Sequence, residues 1–368
     1  MTPPTPERYD VTAVSCGRDQ TLALLANGKV IGWGGDGSGR IPSREPEYCT
    51  TPAPTGAVEV LMREPLSAVA AGYGVSLGVT SGREVATWGA NGAGFDGTIG
   101  AVAPATPSRV AALAAVREIA ASEFQCAAID EAGALYTWGL NLDGGLGRPD
   151  AAFEAAPDRV PGLPVARHVA VGKGFMLALT KDGEIFAWGA NAAGQLGVGD
   201  LRTGDVPRRV PVSHKMRSIA AGASHALGVT SAGEVFAWGS NNHGQLGSPD
   251  PKYSAKPLAI ALPERVQAVA AGMFFSLALG NSGRVYAWGW NRHGQLGLGD
   301  REDRRRPAPI PDLERVRAIA AGQTHSAALA SNALYAWGSN AAGQLGSAAL
   351  EQQRPHPILA TQQRGRRV

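Results

Sequence analysis

A tryptophan-glycine pair recurs along this chain at Trp33, Trp88, Trp138, Trp188, Trp238, Trp288 and Trp337, with successive spacings of 55, 50, 50, 50, 50 and 49 residues. One further tryptophan, Trp290, stands outside the series. A fixed period of this length marks a repeat architecture, in which one supersecondary unit is copied along the chain. The unit is clearest in the sixth copy. Val266–Gly272 (VQAVAAG), Ser276–Leu279 (SLAL) and Arg284–Gly289 (RVYAWG) are short apolar runs. A glycine-rich loop, Asn291–Asp300, and a proline segment then lead to a fourth run, Ala308–Ile310. Four short runs bounded by Gly, Pro, Asn or Ser read as strands of an antiparallel meander. They are too short for helices, and no 3.6-residue periodicity is sustained.

A single four-stranded sheet cannot bury both faces, but copies stacked around an axis cover one another. The expected fold is therefore all-β, a seven-bladed β-propeller of four-stranded antiparallel blades. The recurrent Ala-Ala-Gly (Ala70–Gly72, Ala220–Gly222, Ala270–Gly272, Ala320–Gly322) suits the innermost strand, where blades converge and only small side chains fit. The recurrent tryptophan suits the wider gap between blades. The chain opens with runs of the innermost and second type, Val11–Gly17 and Thr21–Leu24, and ends on an isolated proline run, Pro355–Ala360. That final strand is expected to join the first blade and so to close the ring. The propeller then spans residues 11–360, with residues 1–10 a disordered N-terminal segment and 361–368 a disordered basic tail.

Composition agrees and excludes some partners. The chain has 49 glycines and 25 prolines in 368 residues without a strict G-X-Y period, which fits many turns rather than collagen. A net charge of +3, from 34 basic and 31 acidic residues, argues against nucleic acid or an anionic membrane as the main partner. Cys16, Cys49 and Cys126 are scattered and odd in number, which fits reduced thiols rather than a disulfide framework or zinc site. Met1–Asp10 lacks the apolar core of a signal peptide, and no apolar run reaches membrane-spanning length. A cytoplasmic protein is expected.

At this point the residues carry a resemblance. Ile185–Asp200 (IFAWGANAAGQLGVGD), Val235–Gly247 (VFAWGSNNHGQLG), Val285–Asp300 and Leu334–Gly346 (LYAWGSNAAGQLG) resemble the repeat of the regulator of chromosome condensation family. The resemblance covers about residues 11–360 and implies a seven-bladed propeller used as a binding platform. Members of that family include a nucleotide-exchange factor for a small nuclear GTPase, a plant ultraviolet-light receptor, a secreted β-lactamase inhibitor and bacterial effectors. Fold alone therefore leaves function open. Departures concentrate in the first three units. The loops Gly34–Pro42 and Gly89–Gly100 lack the Gly-Gln-Leu-Gly turn, the connection Ser43–Pro65 is longer, and Ala121-Ser122 replaces Ala-Gly.

In such a meander, the turn after the innermost strand and the loop after the Trp-Gly strand emerge on one face. Turns that need only Gly, Ser or Asn here carry Arg18 and Asp19, Tyr73, Glu123 and Phe124, Lys173 and Phe175, and Met273, Phe274 and Phe275. The loops add Asp36, Asp143, His243, Trp290, Arg292 and His293. Aromatic residues mixed with arginine are what protein interfaces use as anchors. The expected partner-binding set is Arg18, Asp19, Tyr73, Glu123, Phe124, Lys173, Phe175, Phe274, Phe275, Trp290, Arg292 and His293. Phe175 and Phe275 have the alternative of turning back into the blade. His225 and His325 recur at one repeat position, which suits a structural hydrogen bond, and no histidine grouping has metal-ligand spacing. GxSxG, GxxxxGK[ST] and HExxH are missing, so no catalytic residue, metal or cofactor is expected. The leading functional expectation is a scaffold or inhibitor that binds a partner protein. The alternatives are an exchange-type regulator of a small GTPase and an enzyme with its site at the mouth of the ring.

Overall fold

The computed structural model describes residues 9–35, 58–60, 62–89, 107–149 and 153–361. It holds seven sheets, each of four antiparallel strands consecutive in sequence, which are blades 1 to 7 of a propeller. In blade 6 the inner strand is Val266–Ala271, the second Phe275–Gly280, the third Val285–Gly289 and the outer Arg304–Pro309. Second strands are buried along nearly their whole length in every blade. Outer strands of blades 3 to 7 each carry proline, at Pro157, Pro207, Pro257, Pro307 and Pro355. Proline lacks an N–H, so it is tolerated at an edge and prevents further strands from adding there. Among the described residues no helix is long and apolar enough to cross a membrane.

Ring closure differs from the expectation. The C-terminal strand, Glu351–Ala360, pairs with Ala333–Ser339 and completes blade 7, not blade 1. Blade 1 obtains its outer strand from Val58–Val60, inside the long connection that follows its third strand. The reason is local. Each outer strand follows its Trp-Gly strand through one loop and returns antiparallel beside it, so every blade is finished by its own repeat. The chain ends still meet, because Tyr9 N–H donates to the Ala360 carbonyl at 3.0 Å and Tyr9 and Thr361 form a parallel bridge. The ordered propeller thus takes in Tyr9, Asp10 and Thr361, while residues 1–8, Asp36, Cys49 and the basic tail from residue 362 lie outside the described residues.

Blades are joined by the tryptophans. All seven repeat indoles are buried to within 1%. Each such indole removes about 150–250 Å2 from water, a gross gain of about 4–6 kcal/mol before entropy costs. The buried N–H also needs an acceptor. In blades 4 to 7 the preceding blade's glycine-rich loop supplies one, whereas Trp88 Nε1 is buried without a partner among the described residues. Trp238 Nε1 donates to Gln195 O, Trp288 to Gln245 O and Trp337 to Gln295 O, each at 2.9 Å. The loop is shaped for this by its own side chains. Asn191 Nδ2 donates to the carbonyls of Asp200 and Arg202, its Oδ1 accepts from Leu196 N–H, and Gln195 Oε1 accepts from Ala193 N–H. Leu196 fills the core, and the glycine after it lies against the next indole. At the equivalent Gly297, φ is +74° and an added Cβ would stand 2.8 Å from Trp337 Nε1.

Closer to the axis, backbone and side-chain bonds step from blade to blade. Ala223 N–H donates to Met273 O, Met273 N–H to Gln323 O, and Gln323 N–H to Gly17 O, the last closing the ring. Beneath them, the first residue of the second strand reaches into the following blade. Gln20 Nε2 donates to Ser76 Oγ at 3.1 Å, His225 Nε2 lies 3.0 Å from Ser276 Oγ, and His325 Nε2 lies 2.9 Å from Thr21 Oγ1. Ser276 and Thr21 spend their hydroxyl protons on Gln245 O and Gln344 O, so each histidine must be the Nε2–H tautomer. The Nδ1 atoms are buried without a partner among the described residues. Burial accordingly lowers both histidine pKa values to about 4.

Two outcomes follow from these contacts. Gly297→Ala combines a left-handed backbone with a collision against Trp337 and should cost about 2–4 kcal/mol, read as a lower urea midpoint; an unchanged midpoint refutes the docking role. For the histidines, the folded state holds the neutral form, so their stabilisation is complete above the unfolded pKa near 6.5 and drains away as pH falls toward 4. By pH 5 each should have cost about 2 kcal/mol. Replacing both by glutamine, the residue at this position in blades 1 and 3, should flatten stability between pH 7.5 and 5 relative to the parent. Parallel pH profiles for parent and variant would contradict this assignment.

Candidate functional site

The turns after the inner strands and the loops after the third strands do emerge together, because strand direction alternates in each meander. Arg18, Tyr73, Glu123, Lys173, Ala223, Met273 and Gln323 ring the mouth of the central channel, a cavity of about 140 Å3 walled largely by the Ala-Gly ends of the inner strands. Small inner-strand residues leave this channel narrow. Charges at the mouth are matched between neighbours. The Arg18 guanidinium lies 4.0 Å from the Tyr73 ring centroid and 3.5 Å from Asp19, and Lys173 Nζ lies 3.1 Å from Glu123.

On the rim of blades 5 and 6 the face is aromatic. His243 comes from the loop after the third strand of blade 5, Phe274 from the first turn of blade 6, and Trp290 and His293 from the glycine-rich loop of blade 6. Their rings form one chain of contacts. Centroids are 5.4 Å apart for His243–Phe274, 5.9 Å for Phe274–Trp290 in edge geometry, and 5.4 Å for Trp290–His293 at 89°. All four are half-buried. Asp303 fixes the group, accepting from Asn291 N–H through Oδ1 and lying 3.1 Å from His243 Nδ1 through Oδ2. Beside the rings is a hollow of about 540 Å3 lined by His243, Trp290, Arg292, Arg301 and Asp303.

These rings are not required for folding, as the other blades show. The Trp290 position holds Ala190 in blade 4, Ser240 in blade 5 and Ser339 in blade 7, with the same Asn-x-x-Gly-Gln-Leu-Gly loop following. Phe274 corresponds to Ser224 and Thr324, and His293 to Ala193 and Ala342. The backbone accepts small residues at all these places, so the repeat itself does not demand the bulky ones.

The expected partner set divides accordingly. Arg18, Asp19 and Tyr73 form one cluster, Glu123 and Lys173 a second, and Phe274, Trp290 and His293 a third with exposed Arg292 beside it. Phe124 is half-buried at its own turn, apart from the other rings. Phe175 and Phe275 depart from the expectation, since both are fully buried. They occupy the inward position shared by Gln20, His225 and His325, and their rings press on Gly172 and Gly272. Side chains alternate along a strand, so Phe274 faces out and Phe275 in. Asp303 was hidden from the sequence, lying 60 residues from His243 inside a mixed-charge stretch.

The model of the RCC1-like domain matches residues 100–368. The chain belongs to the RCC1-like domain family. A regulator of chromosome condensation (RCC1) repeat is also matched at residues 11–40. Among solved structures, human WBSCR16 is similar with 25% identity and a TM-score of 0.79, covering 88% of this chain and 87% of that one. Prp20p from Saccharomyces cerevisiae, described with its binding to Gsp1p and histones, shares 23% identity with a TM-score of 0.76 over 86% of this chain and 82% of its own. Yeast RCC1 (Prp20) bound to Kap60 shares 24% with a TM-score of 0.78, covering 93% and 84%. The likeness to the yeast proteins is one of fold, and it agrees with the seven blades.

Neighbouring phenylalanines give a direct check on this RCC1-like propeller. Phe274→Ala with Trp290→Ala should change stability by less than about 1 kcal/mol, whereas Phe275→Ala should cost about 3–5 kcal/mol in chemical denaturation. Equal effects would place the outer rings in the core after all.

Proposed function

We propose that this RCC1-like protein is a scaffold or inhibitor that binds a partner protein through its loop face, with the blade 5 and 6 rim as the anchor. The observation that carries this reading is the substitution of Trp290, Phe274 and His293 for Ala, Ser and Thr at repeat-equivalent positions, in a fold that packs equally well without them. Half-exposed aromatic groups on a rigid backbone lose little entropy on binding and supply large contact area. Their setting is rigid here, because Asn291 and Gln295 clamp the loop from within. The similar propellers Prp20p, which binds Gsp1p and histones, and yeast RCC1, seen bound to Kap60, support a binding role. Regulation of a small GTPase is the second reading, favoured by the likeness to Prp20p; release of labelled nucleotide from candidate GTPases tests it.

The experiment compares capture from the source lysate by three immobilised proteins: the parent, Phe274→Ala/Trp290→Ala, and a control altered at the exposed opposite-face turn, Lys181→Glu. The same proteins should be retained by parent and control and lost from the double variant, as read by mass spectrometry. Identical retention by all three would remove the rim from the interface.

A further inference from the structure

We infer that the blade 5 and 6 rim takes an acidic segment of its partner that also bears an apolar anchor residue, an inference that rests on the binding role proposed above. The charge around the aromatic rings is lopsided once internal pairs are removed. Asp303 is held by His243 and by Asn291 N–H, Asp300 by Arg304 at 2.5 Å, and Glu351 by Arg301. Against Glu302 and Asp303, whose contact with His243 cancels its charge only when the imidazole is protonated, stand Arg292, Arg305 and Arg306, all exposed and without a carboxylate ion pair among the described residues. Arg292 lines the hollow next to Trp290, and Arg305 packs against Gly244 in the His243 loop. Arg292 therefore borders the aromatic hollow, while the stem of Arg305 lies on the His243 loop and its guanidinium donates to Pro249 O at 3.4 Å.

Guanidinium groups recognise carboxylates by bidentate hydrogen bonds, and the half-buried Phe274–Trp290 pair offers an apolar seat beside Arg292. An acidic-apolar peptide satisfies both at once. A nucleic acid also carries anions and stacking rings, but its continuous phosphate line favours an unbroken basic track. Here Asp303, Glu302 and Asp300 interrupt the basic residues. A protein carboxylate, which is discrete and can be placed between those acids, fits better.

The tryptophans provide a selective reporter. Seven are buried to within 1%, and Trp290 is the one half-exposed indole. Iodide quenching should therefore read Trp290 alone. Three labelled probes are titrated into the full chain: the peptide GEEFLEEG, its glutamate-to-lysine counterpart, and a short oligouridylate. The acidic peptide should bind, protect Trp290 from iodide, and weaken as salt rises through the screening range. Arg292→Glu with Arg305→Glu should weaken it by about tenfold or more. Lys181→Glu with Lys215→Glu, an equal charge change on the opposite face, should leave it unaltered. Equal or tighter binding of the lysine peptide or of the oligouridylate, or no loss on charge reversal at the rim, would overturn the assignment. If lysate capture depends on Phe274 and Trp290 while the acidic probe fails, the interface stands and its acidic chemistry falls.

Discussion

From blade 4 to blade 7 the joint between neighbouring blades turns on an indole N–H meeting a backbone carbonyl across the boundary. A tryptophan large enough to fill the gap between diverging sheets brings a polar atom into a water-free space, where leaving it unbonded would cost about 1–3 kcal/mol. The loop of the preceding blade answers with the Gln carbonyl, and that requirement dictates much of the repeat. Asparagine and glutamine side chains fold the loop onto itself, leucine anchors it, and the final glycine leaves room for the indole. The same contact recurs from blade 4 to blade 7, as Trp188 with Gly145 O and Trp238, Trp288 and Trp337 with the glutamine carbonyls.

Blade number and strand order were legible because these constraints fall on rare or distinctive residues at a fixed period. The closure was not, since outer strands carry a weak pattern: blade 1 uses only the three residues Val58–Val60, within a connection that looks unlike the other repeats. A proline run at the C-terminus then seemed to lack a blade, although its neighbour Ala333–Ser339 was waiting for it. Phe175 and Phe275 were misplaced for a different reason. Whether an aromatic residue at a turn faces out or in depends on the residue at which the second strand begins, and a shift of one reverses the answer. His225 and His325, recurring at one repeat position, did read as structural hydrogen-bonding groups, and the structure buries both against the following blade.

The separation of structural from unconstrained positions makes the rim interpretable. Within a single chain, the repeats act as parallel substitutions on one backbone. Where Trp290 stands, the fold has also been built with alanine and serine, so the extra volume answers no packing need. Where Trp288 stands, every blade has tryptophan. Two indoles separated by one residue thus serve opposite ends, one holding blades together and the other facing solvent.

Rigidity connects the two. Ordering a loop and its side chains on binding costs about 0.5–1.5 kcal/mol for each immobilised rotamer-rich group. In the blade 6 loop that cost has been met on folding, since Asn291 ties the loop's two limbs together through Asp300 O and Leu296 N–H, and Asp303 holds both His243 and the start of the loop. Trp290 and Phe274 are therefore presented on a backbone that is already in place, and the buried hydrogen bonds that fold the loop are also what keep the aromatic rim in register.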